Sequence, residues 1–263
     1  MKVMSYNTLF GGWDGGDDRR CRAQREVITS EKPDVLLLQE CRHYDHNGHR
    51  RLCETEDALG MRGFLAVAPH TGQHTAVFAR PELTPVAFEG DSARFHHAAA
   101  TVTLRVPGLT RPVTFVSVHL CPNGSHIRLA EAAYLVAHAA ADGFALVAGD
   151  FNSVSPLDPE PDWTPLSAHH RARYLSADGR ADRRVLQTLY SAGYADLAHR
   201  LGRHGEPTVP GAGFANTEFV PFRSDYFLAS ASLAEKTVAY SVVRDERTDA
   251  ASDHYPITAE FKL

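Results

Sequence analysis

The chain has 263 residues, of which 43% are hydrophobic and 22% charged, a composition that suits one large globular domain with an ample core. Its formal net charge of −5 excludes a generally basic surface, so nucleic-acid binding would require a local patch. The four cysteines show no CxxC spacing and are expected to be reduced, and no apolar run reaches the ~18 residues of a membrane span. The N-terminal MKVMSYNTLF lacks the form of a signal peptide, which predicts a cytoplasmic protein.

Strand and helix patterns alternate through the first half of the chain. KVMSYN predicts a strand, DDRRCRAQREVITSEKP a helix that ends at Pro33, and DVLLLQE a buried strand. A polar loop rich in His and Arg follows, and RLCETEDALG predicts a short helix that stops at Gly60. Further strands are predicted at FLAVAP, HTAVFA, TPVAFE, AATVTLRV and PVTFVSVHL.

The same alternation continues through the second half. SHIRLAEAAYLVAHAAAD predicts a helix with Ser125 as its N-cap, FALVAGD a strand, and DRRVLQTLYSAG a helix closed by Gly193. The last strands are predicted at RSDYFLAS, KTVAYSVVR and YPITAEFKL. Loops at 151–180 and 202–217, rich in Pro, Gly and charge, are expected to be surface insertions. Without repeats or a long linker, we expect one domain over residues 1–263, compatible with a monomer.

Polar residues with chemical capacity stand at the ends of the predicted strands. They are Asn7, Glu40, His119, Asp150, Asn152, Asp225, Asp253 and His254. Each alone has an ordinary interpretation, such as a turn residue, a solvated carboxylate or a core histidine. Together they would make a poor core, because isolated buried charges are costly. Strand ends that converge on a crevice of an α/β sheet would instead make them a site.

The residue types restrict the chemistry of such a site. Oxygen ligands from Asp, Glu and Asn suit magnesium, manganese or calcium, whereas zinc would more often show HExxH or CxxC spacing. Imidazoles among carboxylates offer acid–base chemistry or charge stabilisation near neutral pH. A substrate that gains negative charge during reaction, such as a phosphate ester, fits this set. The sequence contains no Walker loop, GxSxG elbow or GxGxxG motif after a strand.

Six motifs in order, MSYNT, LLLQE, VSVHL, GDFNS, RSDYFLAS and SDHYP, resemble the endonuclease/exonuclease/phosphatase superfamily with the DNase I-like fold. The resemblance extends from residue 2 to residue 262. It implies an α/β fold, a four-layer α/β sandwich of two packed mixed β-sheets flanked by helices, with the site on one edge. Many members have an apolar residue where this chain has Ser224, which we interpret as a minor change.

The resemblance implies a metal site for Mg²⁺ or Mn²⁺ and leaves open whether one or two ions bind. Glu40 would be the principal ligand, with Asn7 and Asp253 close by. Asp150 would orient or deprotonate the attacking water, and Asn152 would hold a phosphoryl oxygen.

The resemblance also implies two catalytic imidazoles. His254 would contact the phosphate, with Asp225 as its orienting partner, and His119 would be the second imidazole. In the DNase branch a glutamate pairs with that second imidazole, and either Gln73 or His74 falls at its position here.

Three further residues are expected to bind substrate: Arg94, His97 and Arg223. Arg94, His96 and His97 lie in a segment that contacts substrate phosphate in some relatives, and a solvated loop is an equal interpretation.

The substrate class depends on weaker signals. Residues 169–184 contain five arginines and two histidines, which could bind phosphate or form a solvated helix start. The negative charge and the absence of clear wedge loops favour a phosphodiesterase or phosphatase acting on a small or lipid-derived phosphate ester. Nucleic acid as substrate of an endonuclease or exonuclease is the first alternative. A binding protein that has lost catalysis is the second.

Overall fold

The computed structural model describes residues 1–214 and 218–263. The strands are β1 (Lys2–Asn7), β2 (Val35–Gln39), β3 (Arg62–Ala66), β4 (Thr75–Ala79), β5 (Thr84–Asp91), β6 (Ala99–Arg105), β7 (Val113–His119), β8 (Phe144–Asp150), β9 (Ala195–Asp196), β10 (Asp225–Ala229), β11 (Thr237–Val242) and β12 (Ile257–Phe261). The α-helices are α1 (Arg19–Glu31), α2 (Arg50–Leu59), α3 (Ser125–Leu135), α4 (Ala168–Tyr174), α5 (Arg184–Ser191), α6 (Leu197–Arg200), α7 (Ala231–Ala234) and α8 (Glu246–Ala251). Short 3₁₀ turns cover Phe10–Gly12, Val136–His138 and Ala212–Phe214.

Two mixed sheets form the centre of the molecule. Among the described residues each sheet has six strands, in the orders β11-β12-β1-β2-β4-β3 and β5-β6-β7-β8-β10-β9. The pairs β1–β2 and β7–β8 are parallel and the remaining neighbours antiparallel. Parallel strands require a crossover, and α1 and α3 supply the helix in each case. The predicted arrangement of two packed mixed sheets flanked by helices is confirmed.

Three apolar clusters join the four layers. The largest lies between the sheets and contains Leu37, Phe115 and Phe227. A second joins one sheet to α1 and α2, and a third joins the other sheet to α3 and α5. The central strands have apolar side chains on both faces because each sheet is covered on both sides. All five residues of β2 are accordingly buried, whereas the edge strand β5 is largely exposed.

The structure differs from the sequence-based expectations at one helix and one loop. Helix α3 begins at Ser125, and Gly124, with φ −159° and ψ 111°, is its N-cap, so the expected capping role of Ser125 is wrong. The 151–180 segment contains α4 and contributes Trp163 and Tyr174 to a separate apolar cluster with Phe222. It is therefore a packed substructure rather than a simple surface insertion.

The loop expected at 202–217 is described only in part. It contributes Val209 to the same cluster, and its residues 215–217 lie outside the described part of the chain. None of the helices in the described ranges is long and apolar enough to cross a membrane.

Candidate active site

The strand ends at one edge of the sandwich bring the chemically capable side chains together. Asn7 ends β1 and is in register with Gln39 at the end of β2. In the other sheet His119 ends β7 and is in register with Asp150 at the end of β8. Asp225 begins β10 and pairs with Asp150 from the other side, because β10 is antiparallel to β8. The two parallel pairs thus end at the same crevice.

The backbone at this edge is unusual and fixes the side-chain directions. Gly149 has φ 142°, and a Cβ there would lie 1.8 Å from the Val118 carbonyl oxygen, so only glycine fits next to Asp150. Glu40 and Asn152 have φ of 57° and 47°, in the left-handed region that non-glycine residues rarely adopt. Such conformations persist where the surrounding structure enforces them, commonly at functional sites.

Asp150 is the centre of the hydrogen-bond network. Its carboxylate accepts from Ser224 Oγ at 2.6 Å and from the Asn152 backbone N–H at 2.8 Å. Asn7 Nδ2 donates at 3.3 Å, and His119 Nε2 lies 3.3 Å from the same carboxylate oxygen. Burial by itself would raise the pKa of Asp150, but the neighbouring imidazoles and these donors outweigh burial and lower it. Asp150 is therefore ionised at neutral pH.

His254 and Asp225 form a buried pair beside Asp150. Asp225 Oδ2 lies 2.9 Å from His254 Nδ1 and also accepts from Thr208 Oγ1 at 2.6 Å. His254 Nε2 lies 3.6 Å from Asp150 Oδ2. Burial opposes protonation of His254, but Asp225 and Asp150 overcome it and raise the pKa of the imidazole well above its usual value. The ring is thus held as a cation with Nε2 directed toward Asp150.

The second imidazole has the opposite electrostatic character. Burial lowers the pKa of His119 to about 4, against the attraction of Asp150. The ring of His97 packs against it at an interplanar angle of 30°, with the ring centroids 4.4 Å apart. His119 Nδ1 is buried and has no hydrogen-bond partner among the described residues. The site therefore combines one cationic and one neutral imidazole.

The two candidates for the partner of His119, Gln73 and His74, differ in their contacts. His74 is wrong for this role, because its Nε2 lies 2.8 Å from Asp45 and its Nδ1 accepts from the Ala68 N–H. Gln73 lines the pocket with His119, and its buried Oε1 likewise has no partner in the described ranges.

Two further carboxylates in the crevice, those of Glu40 and Asp253, have the properties of cation ligands. Burial, followed by the repulsion of Asp253, raises the pKa of Glu40 to about 7. Burial is also the main cause of the raised pKa of Asp253, and the Asp150 charge adds to it. Glu40 Oε2 accepts from the Phe10 N–H at 3.0 Å, and Asn7 contributes an amide nearby. Desolvated oxygen donors that repel each other fit a hard divalent cation.

A second cluster of possible ligands is less suited to binding a cation. Ligand atoms of Asp150, Asp225 and His254 lie within 4.8 Å of one another. However, Asp225 Oδ2 already accepts from Thr208 and contacts His254, which leaves less capacity for a cation.

The crevice opens into a cavity of about 190 Å³, named here the polar pocket. Its lining is Leu9, Phe10, Glu40, Gln73, His97, His119, Pro122, Asn123, Asp150, Asn152, Arg173, Tyr174, Glu218, Phe219, Asp253 and His254. Arg173 forms an ion pair with Glu218, and the Phe219 ring meets His254 edge-on at 5.3 Å. These three wall residues carry no motif, and only the arginine-rich composition around Arg173 indicated any of them.

The three residues expected to bind substrate separate in the structure. His97 lines the polar pocket, as expected from its position. Arg94 does not line it, because its guanidinium pairs with Glu89 and Asp91 on the outside of the sheet.

The expected substrate-binding role of Arg223 is wrong. Its side chain is fully buried and is held by Asp158 Oδ2 at 2.9 Å and Asp196 Oδ2 at 2.6 Å. Its charge is compensated inside the protein, so it stabilises the loops behind the site.

The arginine-rich segment 169–184 is largely tied to the protein itself. Arg171 donates to the Leu166 carbonyl oxygen, and Arg173 pairs with Glu218. Arg183 pairs with Glu160 and also donates to the Ser155 and Asp158 carbonyl oxygens, and Arg184 pairs with Asp182. These contacts favour the interpretation of the segment as a structural, partly solvated face.

Comparisons with known proteins address the family and the fold. The sequence pattern of the Endonuclease/Exonuclease/phosphatase family matches residues 4–254. An AP endonuclease from Archaeoglobus fulgidus is 18% identical with a TM-score of 0.68, and 100% of each chain is covered. The 3′ phosphatase NExo from Neisseria, bound to a product DNA hairpin, is 19% identical with a TM-score of 0.70, again with 100% of each chain covered.

A functionally unknown conserved protein from Enterococcus faecalis V583 is 15% identical with a TM-score of 0.71, covering 100% of this chain and 99% of that one. A search of curated protein sequences gives no significant match. At these identities the solved structures establish the fold, which is DNase I-like.

Proposed function

The chain belongs to the endonuclease/exonuclease/phosphatase family, and from this premise we propose that it is a divalent-metal-dependent phosphoester hydrolase acting on a small or lipid-derived phosphate ester. One observation carries the proposal most directly. An ionised carboxylate, Asp150, lies between a cationic and a neutral imidazole at the base of the polar pocket. This arrangement can hold a water nucleophile and stabilise the charge that develops on a phosphoryl group.

Asp150 is the residue we assign to the water. Its carboxylate is ionised, and Ser224 and Asn152 fix its orientation through short hydrogen bonds. A fixed anionic oxygen accepts a hydrogen bond from water and directs a water lone pair toward phosphorus. Asn152 is assigned to a phosphoryl oxygen, although its Nδ2 donates to the Leu120 carbonyl in the structure and would have to reorient.

The imidazoles are assigned to the phosphate. His254, held as a cation by Asp225, would donate from Nε2 to a phosphoryl oxygen as negative charge accumulates there. His119, neutral at physiological pH, would donate one neutral hydrogen bond or exchange a proton from the opposite side.

Glu40, Asp253 and Asn7 are assigned to a divalent cation, with Mg²⁺ or Mn²⁺ as the expected ion. When bound, the cation would neutralise charge on the phosphoryl oxygens and lower the repulsion between the two carboxylates.

Two observations support a compact substrate over nucleic acid. The polar pocket has a volume of about 190 Å³, which suits one phosphoryl group with its immediate substituents. The arginines of 169–184 that would grip additional backbone phosphates mostly have partners within the protein.

A nuclease is the second candidate, and the comparisons favour it. An AP endonuclease and a 3′ phosphatase bound to DNA share this fold over their whole length. A catalytically inactive binding protein has less support, because all eight residues assigned above are present.

An activity screen with Mg²⁺ or Mn²⁺ tests the proposed function. The panel is plasmid DNA, RNA, phosphoinositides, sphingomyelin, nucleotides and sugar phosphates, each measured with and without EDTA. We expect cation-dependent turnover that is best on a compact ester. Efficient plasmid nicking at physiological salt would instead select the nuclease, and absence of turnover throughout the panel would select the binding protein.

A further inference from the structure

A second cavity, named here the basic pocket, lies outside the residues assigned to the reaction. It has a volume of about 550 Å³ and is lined by Trp13, Arg25, His43, His46, Arg50 and Arg51, together with Asp18, Asn47 and Glu54. These residues come from the loop after β1, the loop after β2 and the adjoining turns of α1 and α2.

The positive charge of the basic pocket is only partly compensated. Glu54 is occupied by Arg50 at 2.7 Å, and Asp18 pairs with Arg22. Arg25 and Arg51 therefore remain without a carboxylate partner in the described part of the chain.

The contacts of these two arginines leave donors free. Arg25 Nη2 meets only Thr55 Oγ1, at 3.5 Å, and its buried Nε has no acceptor among the described residues. Arg51 Nη1 donates to the Arg42 carbonyl oxygen at 3.0 Å, and its guanidinium lies over the Trp13 ring at 4.4 Å. A buried donor without an acceptor is costly, and an anionic ligand would relieve that cost.

The local field has the sign that an anion requires. Burial lowers the pKa of His43, and the nearby His46, Arg51 and Arg42 lower it further. The same groups that disfavour a proton on His43 would favour a phosphate in the pocket.

The linings of the basic pocket and the polar pocket are connected by a chain of side-chain and backbone contacts. The Arg42 guanidinium lies over the Phe10 ring at 5.2 Å. Phe10 lines the polar pocket and donates its backbone N–H to Glu40. Contacts that run from Trp13 through Arg51 and Arg42 to Phe10 therefore join the lining of the basic pocket to the lining of the polar pocket.

We propose that the basic pocket binds a second phosphate group of the same substrate, beyond the phosphate that reacts. The proposal rests on the proposed function for the identity of the reacting group. It narrows the substrate to molecules that carry two phosphates, one of which is an ester in the polar pocket. Arg51 and Arg25, which line the basic pocket without a carboxylate partner among the residues that the structure describes, carry the guanidinium group by which proteins commonly recognise phosphate.

Binding of inorganic phosphate tests the pocket without catalysis. Trp13 lines the basic pocket, whereas the other tryptophan, Trp163, is buried in a separate cluster. Tryptophan fluorescence is titrated with inorganic phosphate in EDTA for the wild type and for the Trp13→Phe, Arg51→Gln, Arg51→Lys and Arg247→Gln variants. Arg247 is the control, because it is exposed and pairs with Asp245.

We expect saturable binding with affinity lowered about tenfold or more by Arg51→Gln, less by Arg51→Lys and not by Arg247→Gln. The Trp13→Phe variant should lose the fluorescence response. A fluorescence response that does not saturate, or that is equal in Arg51→Gln and Arg247→Gln, would refute phosphate binding in the basic pocket.

Kinetics with matched substrates distinguish a second substrate phosphate from a free anion. Thymidine dinucleotides with and without a terminal phosphate, at either end, are compared with bis(p-nitrophenyl) phosphate. The proposal predicts a higher kcat/KM for one terminally phosphorylated dinucleotide and loss of that advantage in Arg51→Gln.

If all substrates are turned over without such an advantage, the two pockets do not bind phosphates of one substrate molecule, and the proposed function is unaffected. Phosphate binding without any turnover contradicts the proposed function while retaining the pocket.

Discussion

The pair formed by Asp225 and His254 permits a sharp prediction. In the structure the Asp225 carboxylate, 2.9 Å from His254 Nδ1, is the leading contribution that raises the pKa of the imidazole against burial. Asp225→Asn preserves shape and removes that charge, so the pKa of His254 should fall and its cationic form should be lost at neutral pH. We expect turnover to fall by roughly 10²–10⁴, the usual worth of a positioned acid–base group.

Loss of the Asp225 charge should also change the dependence of turnover on pH. In the Asp225→Asn variant the imidazole would become protonated only in acid, so the ratio of variant to wild-type kcat should rise as the pH falls. His254→Ala should reduce turnover by a similar factor, and the double variant should be no worse than either single variant, since the two residues act as one unit.

The control is Asp249→Asn, which removes a carboxylate that accepts from Tyr255 at 2.6 Å outside the polar pocket. It should leave turnover near the wild-type value. Two results would refute the claim that Asp225 and His254 act as one unit. They are additive losses in log kcat for Asp225→Asn and His254→Ala, and a ratio of Asp225→Asn to wild-type kcat that does not change with pH.

Three further predictions follow from the same structure. Glu40→Gln should abolish cation-dependent turnover. The melting temperature of this variant, measured in EDTA, should be equal to or above that of the wild type, because burial disfavours the Glu40 charge. Full activity of the variant in chelator would contradict the metal assignment. Because burial depresses the pKa values of both His97 and His119, these two side chains bind fewer protons in the folded than in the unfolded chain, and their contribution to the free energy of unfolding should fall as the pH decreases from about 6.5, the ordinary histidine pKa, toward 4. His97→Gln should lower the slope of the unfolding free energy against pH by about 1.4 kcal/mol per pH unit, as measured by urea titrations at several pH values. An unchanged slope would show that His97 does not titrate as described. Arg223→Met should cost about 3–5 kcal/mol in the free energy of unfolding, since it leaves two buried carboxylates unpaired, with kcat of the folded fraction retained; lost catalysis at unchanged stability would restore a role in substrate binding.

The sequence predicted the sheets well because their information is local. Apolar runs such as VLLLQ in β2 and TAVFA in β4 belong to strands covered on both faces, and such runs need no knowledge of their neighbours. The set of strand-end residues was also predictable, because parallel strands end at a common edge. The structure brings Asn7, Glu40 and the rest of that set to this edge.

Contacts between segments that are far apart in the sequence could not be predicted from local patterns. Ser224 was interpreted as a minor change, yet its hydroxyl donates to Asp150 at 2.6 Å, and Thr208 reaches Asp225 from the loop at 202–217. Arg223 looked free for substrate because its partners, Asp158 and Asp196, lie far away in sequence. The departure at Ser224 from an apolar residue was the one available signal.

The most direct test of the central claim is hydrolysis of bis(p-nitrophenyl) phosphate by the wild type and Asp150→Asn, with Mn²⁺ or Mg²⁺ present. Asp150→Asn retains the size of the side chain and removes the charge that lies between His119 and His254. We expect wild-type turnover above the rate of the metal alone, lowered by roughly 10² or more in the variant, with both proteins folded to the same extent. A wild type that does not exceed the metal alone, or an Asp150→Asn variant that retains the wild-type rate, would contradict that claim.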